Sequence, residues 1–71
     1  MSAEERLKRI SSNIKKERIK RGLTQQQLAF MANCSIAVVR RYEQCQFTRP
    51  QVSTLTRFAG ALGISIDKFY D

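Results

Sequence analysis

Only three residues, Asn33, Cys34 and Ser35, separate two short segments that each carry helix-start chemistry and apolar residues at helical spacing. The first opens at Thr24 with Gln27 three positions on, a capping-box pattern, and holds Leu28, Ala29 and Met31. The second is capped by Ser35 and runs through Val38, Val39 and Tyr42 to Glu43. Asn33 can end the first, because Asn tolerates the left-handed conformation better than most residues with a Cβ. So short a link forces a sharp angle between the two helices, and the rest of the chain must fold around that angle.

The remaining segments also read as helices. Ser2 with Glu5 forms another capping-box pattern, after which Leu7, Ile10 and Ile14 recur at spacings of 3 and 4. Arg18 falls next on that stripe, and Gly22 ends the helix with Lys20 and Arg21 near its negative end. Residues 1–9 form its N-terminal extension. Residues 44–49 have no apolar period and read as a loop closed by Pro50. A fourth helix carries Val52, Leu55, Phe58, Ala59 and Leu62 and ends at Gly63, and Ser65 caps a last turn or two holding Ile66, Phe69 and Tyr70. One Pro and 3 Gly leave long stretches free for helix, while aromatic and β-branched residues are scattered rather than alternating, which argues against a sheet. The expectation is one all-α domain over residues 1–71, a compact five-helix bundle.

The formal net charge is +7, which points to an anionic partner, nucleic acid or an acidic membrane surface, against the plainer reading of a solvated basic face. There is no His, and Cys34 and Cys45 lie 11 apart with no CxxC pair, so no metal site is expected. No cofactor is expected either. Residues 1–9 carry Glu4, Glu5, Arg6, Lys8 and Arg9 rather than an apolar run, so no signal peptide is expected, and no stretch is apolar enough to span a membrane. The expectation is a reduced, cytoplasmic protein whose cysteines act as small apolar residues. Without a histidine, a metal cluster or a glycine-rich phosphate loop, an enzyme is not expected.

The run Gly22-Leu23-Thr24-Gln25-Gln26-Gln27-Leu28-Ala29 resembles the start of the helix-turn-helix in phage repressor and Cro-like regulators. The resemblance continues through Ser35, Val39, Tyr42, Glu43, Pro50, Leu55, the run from Ala59 to Ser65, and Asp67, so it covers residues 14–70. It implies a lambda-repressor-like fold with helices 2 and 3 as the helix-turn-helix, and the third helix in the major groove of duplex DNA. It also implies binding to operator DNA as a two-fold dimer. Two positions depart from the family, which commonly has Gly where this chain has Asn33 and Cys45. Asn33 is an easy replacement, whereas at Cys45 either the turn differs or it carries strain.

Residue chemistry gives each position a candidate role. The N-terminal residues of a recognition helix reach base edges deepest. Ile36 and Ala37 can read thymine only through its methyl group, whereas Arg41 can donate twice to guanine, worth about 1–3 kcal/mol of discrimination. For Arg40, base and phosphate contacts are both open. Gln25 opens the second helix, where the resemblance places a phosphate and free backbone N–H groups favour one, with Gln26 a weaker candidate. Gln46, Thr48 and Arg49 follow the recognition helix and are placed to lie along the DNA backbone. Arg18 and Glu43 each put a charge on an apolar stripe, so they are expected to pair with each other; the family has Arg and Glu at the same places. Ile64, Phe69 and Tyr70 are candidates for a dimer contact.

The function expected is sequence-specific duplex DNA binding by a transcriptional regulator, a homodimer on a short palindromic operator. The chain's length leaves no room for a ligand-sensing half, which favours a Cro-like protein or a restriction-modification controller. The competing expectation is a basic helical module that binds protein or RNA.

Overall fold

Short hydroxyl side chains set where the helices begin. The computed structural model describes residues 2–71, and its order is α1 (Ala3–Lys20), α2 (Gln25–Met31), α3 (Ile36–Glu43) and α4 (Val52–Leu62), followed by a 3-10 helix (Ile66–Tyr70). Ser2, Thr24, Ser35 and Ser65 each precede an element and accept a hydrogen bond from a backbone N–H inside it. At Thr24 the capping box is complete, because Gln27 Oε1 accepts from the Thr24 N–H at 2.8 Å while the Thr24 hydroxyl accepts from the Gln27 N–H at 3.0 Å. Most of the N-terminal extension expected over residues 1–9 is the start of α1 itself; Met1 lies outside the described residues.

All four α-helices end in the same way. A residue in the left-handed region, at Gly22, Asn33, Cys45 or Gly63, turns the chain so that the following N–H reaches five residues back. The bonds are Leu23 N–H to Arg18 at 3.2 Å, Cys34 to Ala29 at 2.9 Å, Gln46 to Arg41 at 2.8 Å and Ile64 to Ala59 at 3.0 Å. This is the Schellman closure, which satisfies helix-end carbonyls that would otherwise be orphaned. Cys45 adopts it at φ 57°, so the turn expected from Gly-containing relatives is kept and the cysteine carries the strain.

The helices meet around Ile10, Ile14, Leu28, Val39, Tyr42, Leu55, Phe58, Leu62 and Phe69. Six of the larger side chains, Phe58, Phe69, Ile14, Leu28, Leu55 and Val39, are fully buried, and each such burial contributes about 1.5–3 kcal/mol. Two apolar residues assigned to core stripes instead face outward: Met31 is exposed while Ala32 takes the inward position, and Val52 stands clear at the start of α4.

The fifth element differs from the five-helix expectation. Five residues from Ile66 to Tyr70 are too few to recover the cost of nucleating an α-helix, and they form a tighter 3-10 turn instead. That turn packs on α1 and α4. The Asn13 side-chain amide holds it by donating to the Phe69 and Asp71 carbonyls, both at 3.0 Å. Among the described residues no helix is long and apolar enough to cross a membrane.

Candidate nucleic-acid interface

An ionic node fixes the angle between α2 and α3. Arg18 on α1 donates from Nε to Glu43 Oε2 at 2.6 Å and from Nη2 to Glu43 Oε1 at 3.0 Å, a bidentate pair. Its third nitrogen, Nη1, donates to the Leu23 carbonyl at 2.6 Å, just before α2. Gln25, the first residue of α2, completes the node by donating from Nε2 to Glu43 Oε1 at 3.0 Å. The Glu43 side chain is only 2% exposed and that of Arg18 11%, so water does little to screen the pair. The link joining α2 and α3 at one end is four residues, 32–35, one more than expected because α2 stops at Met31, and this node joins their far ends to each other and to α1. On the link side, Arg57 of α4 donates to the Asn33 carbonyl at 2.8 Å.

With Glu43 turned inward and Val39 and Tyr42 buried, α3 presents Ala37, Arg40 and Arg41 to solvent. Gln44 follows on the same face, seven residues after Ala37. Beside this face, Arg41 of α3 joins Gln46, Thr48, Arg49, Gln51 and Thr54 in lining one open hollow whose walls also include Tyr42 and Phe47. Two arginines and four uncharged polar residues around one hollow suit an anion with several acceptor oxygens, which is the chemistry of a phosphate.

The candidate residues thus fall into groups. Arg41, Gln46, Thr48 and Arg49 are brought together. Ala37 and Arg40 are exposed beside them, but Ile36 is half-buried against the core and offers only an edge to a base, because the first turn of α3 packs its β-branched residues inward. The Gln25 side-chain amide is committed to Glu43 and the Gln27 N–H to the Thr24 hydroxyl, so at the start of α2 only the backbone N–H groups of Gln25 and Gln26 have no side-chain partner. Gln26 is exposed on the outer face of α2, where it lines a groove with Leu23, Gln27, Phe30 and Met31, and the hollow beside α3 does not include it. At the end of α1, Arg21 donates to Glu17 at 2.7 Å, a bond that holds the Glu17 carboxyl below its ordinary range, whereas Lys15, Lys16 and Lys20 stay exposed.

Of the candidate dimer residues, Phe69 requires correction. Its ring is fully buried, held in the core by the 3-10 turn that Asn13 ties to α1, so it cannot touch a partner directly. Ile64 is half-buried against the core and Tyr70 is exposed. Gln44, Gln51 and Thr54 escaped the sequence reading of the site. The spacing of Gln44 from Ala37 and Arg40 was a sufficient signal; nothing in the local pattern marks Thr54, which the fold brings to the hollow from another helix.

A model of the family described as helix-turn-helix matches residues 14–69, most of the chain. The chain belongs to the helix-turn-helix family. It is a DNA-binding transcriptional regulator of the phage repressor and Cro-like type. The crystal structure of the restriction-modification controller protein C.AhdI from Aeromonas hydrophila has a similar fold, with a TM-score of 0.84 over 90% of this chain and 96% of that one at 23% sequence identity. No curated protein sequence matches the chain.

Proposed function

We propose that this regulator binds a short palindromic operator as a homodimer, in the manner of a Cro-like protein or a restriction-modification controller, and acts in the cytoplasm without enzymatic activity. The observation that carries the reading is the continuity of the exposed α3 face with the polar hollow, Arg41 belonging to both. Ala37, Arg40, Arg41 and the exposed edge of Ile36 meet base edges in the major groove. Gln46, Thr48 and Arg49 on one side, and Gln25 with Gln26 at the start of α2 on the other, hold the flanking phosphates. The dimer contact uses Tyr70, which is 49% exposed, with the outer edge of Ile64. Two recognition helices then reach half-sites about 34 Å apart. The likeness to a controller protein supports this architecture, and the free thiols of Cys34 and Cys45 suit a reducing compartment.

Selection of bound sequences from a random duplex pool is the decisive experiment. A two-fold motif is expected; no enrichment, or a preference for single-stranded RNA, overturns the reading. On the selected duplex, Arg41→Ala should relax preference at one base position. Arg49→Ala should weaken all sequences alike and flatten the dependence of affinity on salt. If both variants lose affinity uniformly, Arg41 does not read a base.

A further inference from the structure

The start of α4 lacks the device that opens every other element. Gln51 precedes it, and no side chain there accepts from the helix. At α2 the N–H of the capping residue is taken by a side chain of the same helix, Gln27. At α4 the equivalent N–H, that of Gln51, donates instead to the Tyr42 hydroxyl at 3.1 Å, on the recognition helix. The same ring stacks on Phe47 with centroids 4.6 Å apart and planes at 18°, and meets the edge of Phe58 at 5.6 Å. One side chain of α3 therefore holds the following loop at its middle and at its end. Thr48 and Arg49 lie between those two points, on the hollow that Arg41 shares.

We propose that Tyr42 is a positioning residue for DNA binding: its ring and hydroxyl set the loop that carries Thr48 and Arg49 in register with the reading face of α3. The inference rests on the reading of that loop as a phosphate contact. Its geometry is specific, because the hydroxyl accepts from a backbone N–H that no side chain of α4 caps. The ring is almost wholly buried beneath the hollow, and its hydroxyl is engaged with the Gln51 N–H. Its effect passes through the loop.

Tyr42→Phe keeps the ring and removes only the acceptor. Affinity for the selected duplex is measured across a salt series, at a temperature where circular dichroism shows parent and variants fully folded. The expected result is a slope of log affinity against log salt shallower by up to about 0.9, the value of one phosphate contact. Arg49→Ala should also cost less affinity in the Tyr42→Phe background than in the parent. A purely structural tyrosine would lower the melting temperature, leave the slope unchanged and give additive effects, and that result overturns the proposal. Should Tyr42→Phe fail to fold, Phe47→Ala breaks the same tie from the loop side and is expected to give the same shallower slope; an unchanged slope there also overturns it. The underlying reading is tested separately by Arg49→Ala in the parent. An unchanged slope there removes the phosphate contact and the proposal with it, whereas a lowered slope with no effect of Tyr42→Phe removes the proposal alone.

Discussion

Replacing Arg18 by Ala should destabilise the protein strongly, and the size of the effect follows from what the substitution strands. The Glu43 carboxylate, almost fully buried, loses two of its three donors and keeps only the amide of Gln25. The Leu23 carbonyl loses the guanidinium as well. Removing one partner of a buried pair costs about 3–5 kcal/mol, most of it from the uncompensated charge left behind. A chain of 71 residues, at about 0.05–0.15 kcal/mol per residue, has roughly 4–11 kcal/mol of stability in total. The loss therefore consumes about a quarter of that stability at the least, and all of it at the lower end of that range. In a domain of this size it should lower the melting temperature by at least about 12 °C. Urea unfolding followed by far-UV circular dichroism measures it, with an unchanged denaturant slope as the sign that stability alone has moved. The double variant Arg18→Met with Glu43→Met replaces both charges by apolar chains and should lose far less than Arg18→Ala. A loss below about 1 kcal/mol for Arg18→Ala would refute the reasoning, since it would mean that water or another donor already compensates Glu43.

Three further outcomes follow from particular atoms. Cys45→Gly relieves a left-handed strain of about 1–2 kcal/mol against a glycine entropy cost of about 0.5–1 kcal/mol, so a gain of about 0.5–1 kcal/mol in urea unfolding is expected. Ser11→Ala should raise stability by about 1 kcal/mol, because the Ser11 hydroxyl is buried in α1 without a hydrogen-bond partner; a destabilised variant would show that the hydroxyl is satisfied after all. Burial raises the Cys34 thiol above its ordinary value of 9.0, an effect that nearby Arg57 only partly offsets. Alkylation at mildly alkaline pH should therefore be slower at Cys34 than in the unfolded chain. Because the thiolate is disfavoured in the fold, the stability this thiol contributes is complete below the unfolded thiol's pKa and is lost as pH rises through the higher folded value.

Much of the framework was legible because it is written in local chemistry. A hydroxyl followed three residues later by Glu or Gln marks a helix start with little reference to the rest of the chain, and Ser2 and Thr24 do so here. Gly22, Asn33 and Gly63 mark the ends for the same reason. The pairing of Arg18 with Glu43 was legible from two apolar stripes that each carried one charge of opposite sign. What escaped depends on contacts distant in sequence. Periodicity assigns Ile36 and Phe69 to faces of their elements, but not which neighbour covers those faces. Phe69 is covered because its own carbonyl is held by Asn13, 56 residues away. The start of α4 escaped because its backbone is capped by a tyrosine of another helix, which no pattern within α4 announces.

The arrangement of α3 has a consequence for how specificity arises in this regulator. Its last turn carries two adjacent inward anchors, Tyr42 to the loop and α4, and Glu43 to α1 and α2. Its first turn, where base edges are reached most deeply, offers Ile36 and Ala37, which have no side-chain hydrogen-bonding group. On the proposed reading, polar discrimination in the groove falls to Arg41, joined by Arg40 where it turns to a base. Each bidentate arginine contact is worth about 1–3 kcal/mol. Specific binding commonly exceeds non-specific binding by about 4–10 kcal/mol. Two half-sites with one such arginine each supply about 2–6 kcal/mol, so thymine methyl contacts and the deformability of the operator must account for much of the rest. The phosphate contacts proposed for Gln46, Thr48 and Arg49 would then matter for more than affinity. On the proposed reading, a firm hold on the backbone is what makes an apolar first turn sensitive to the position of a single methyl group, and the bonds of Tyr42 and Glu43 on the last turn of α3 are where that hold would be anchored.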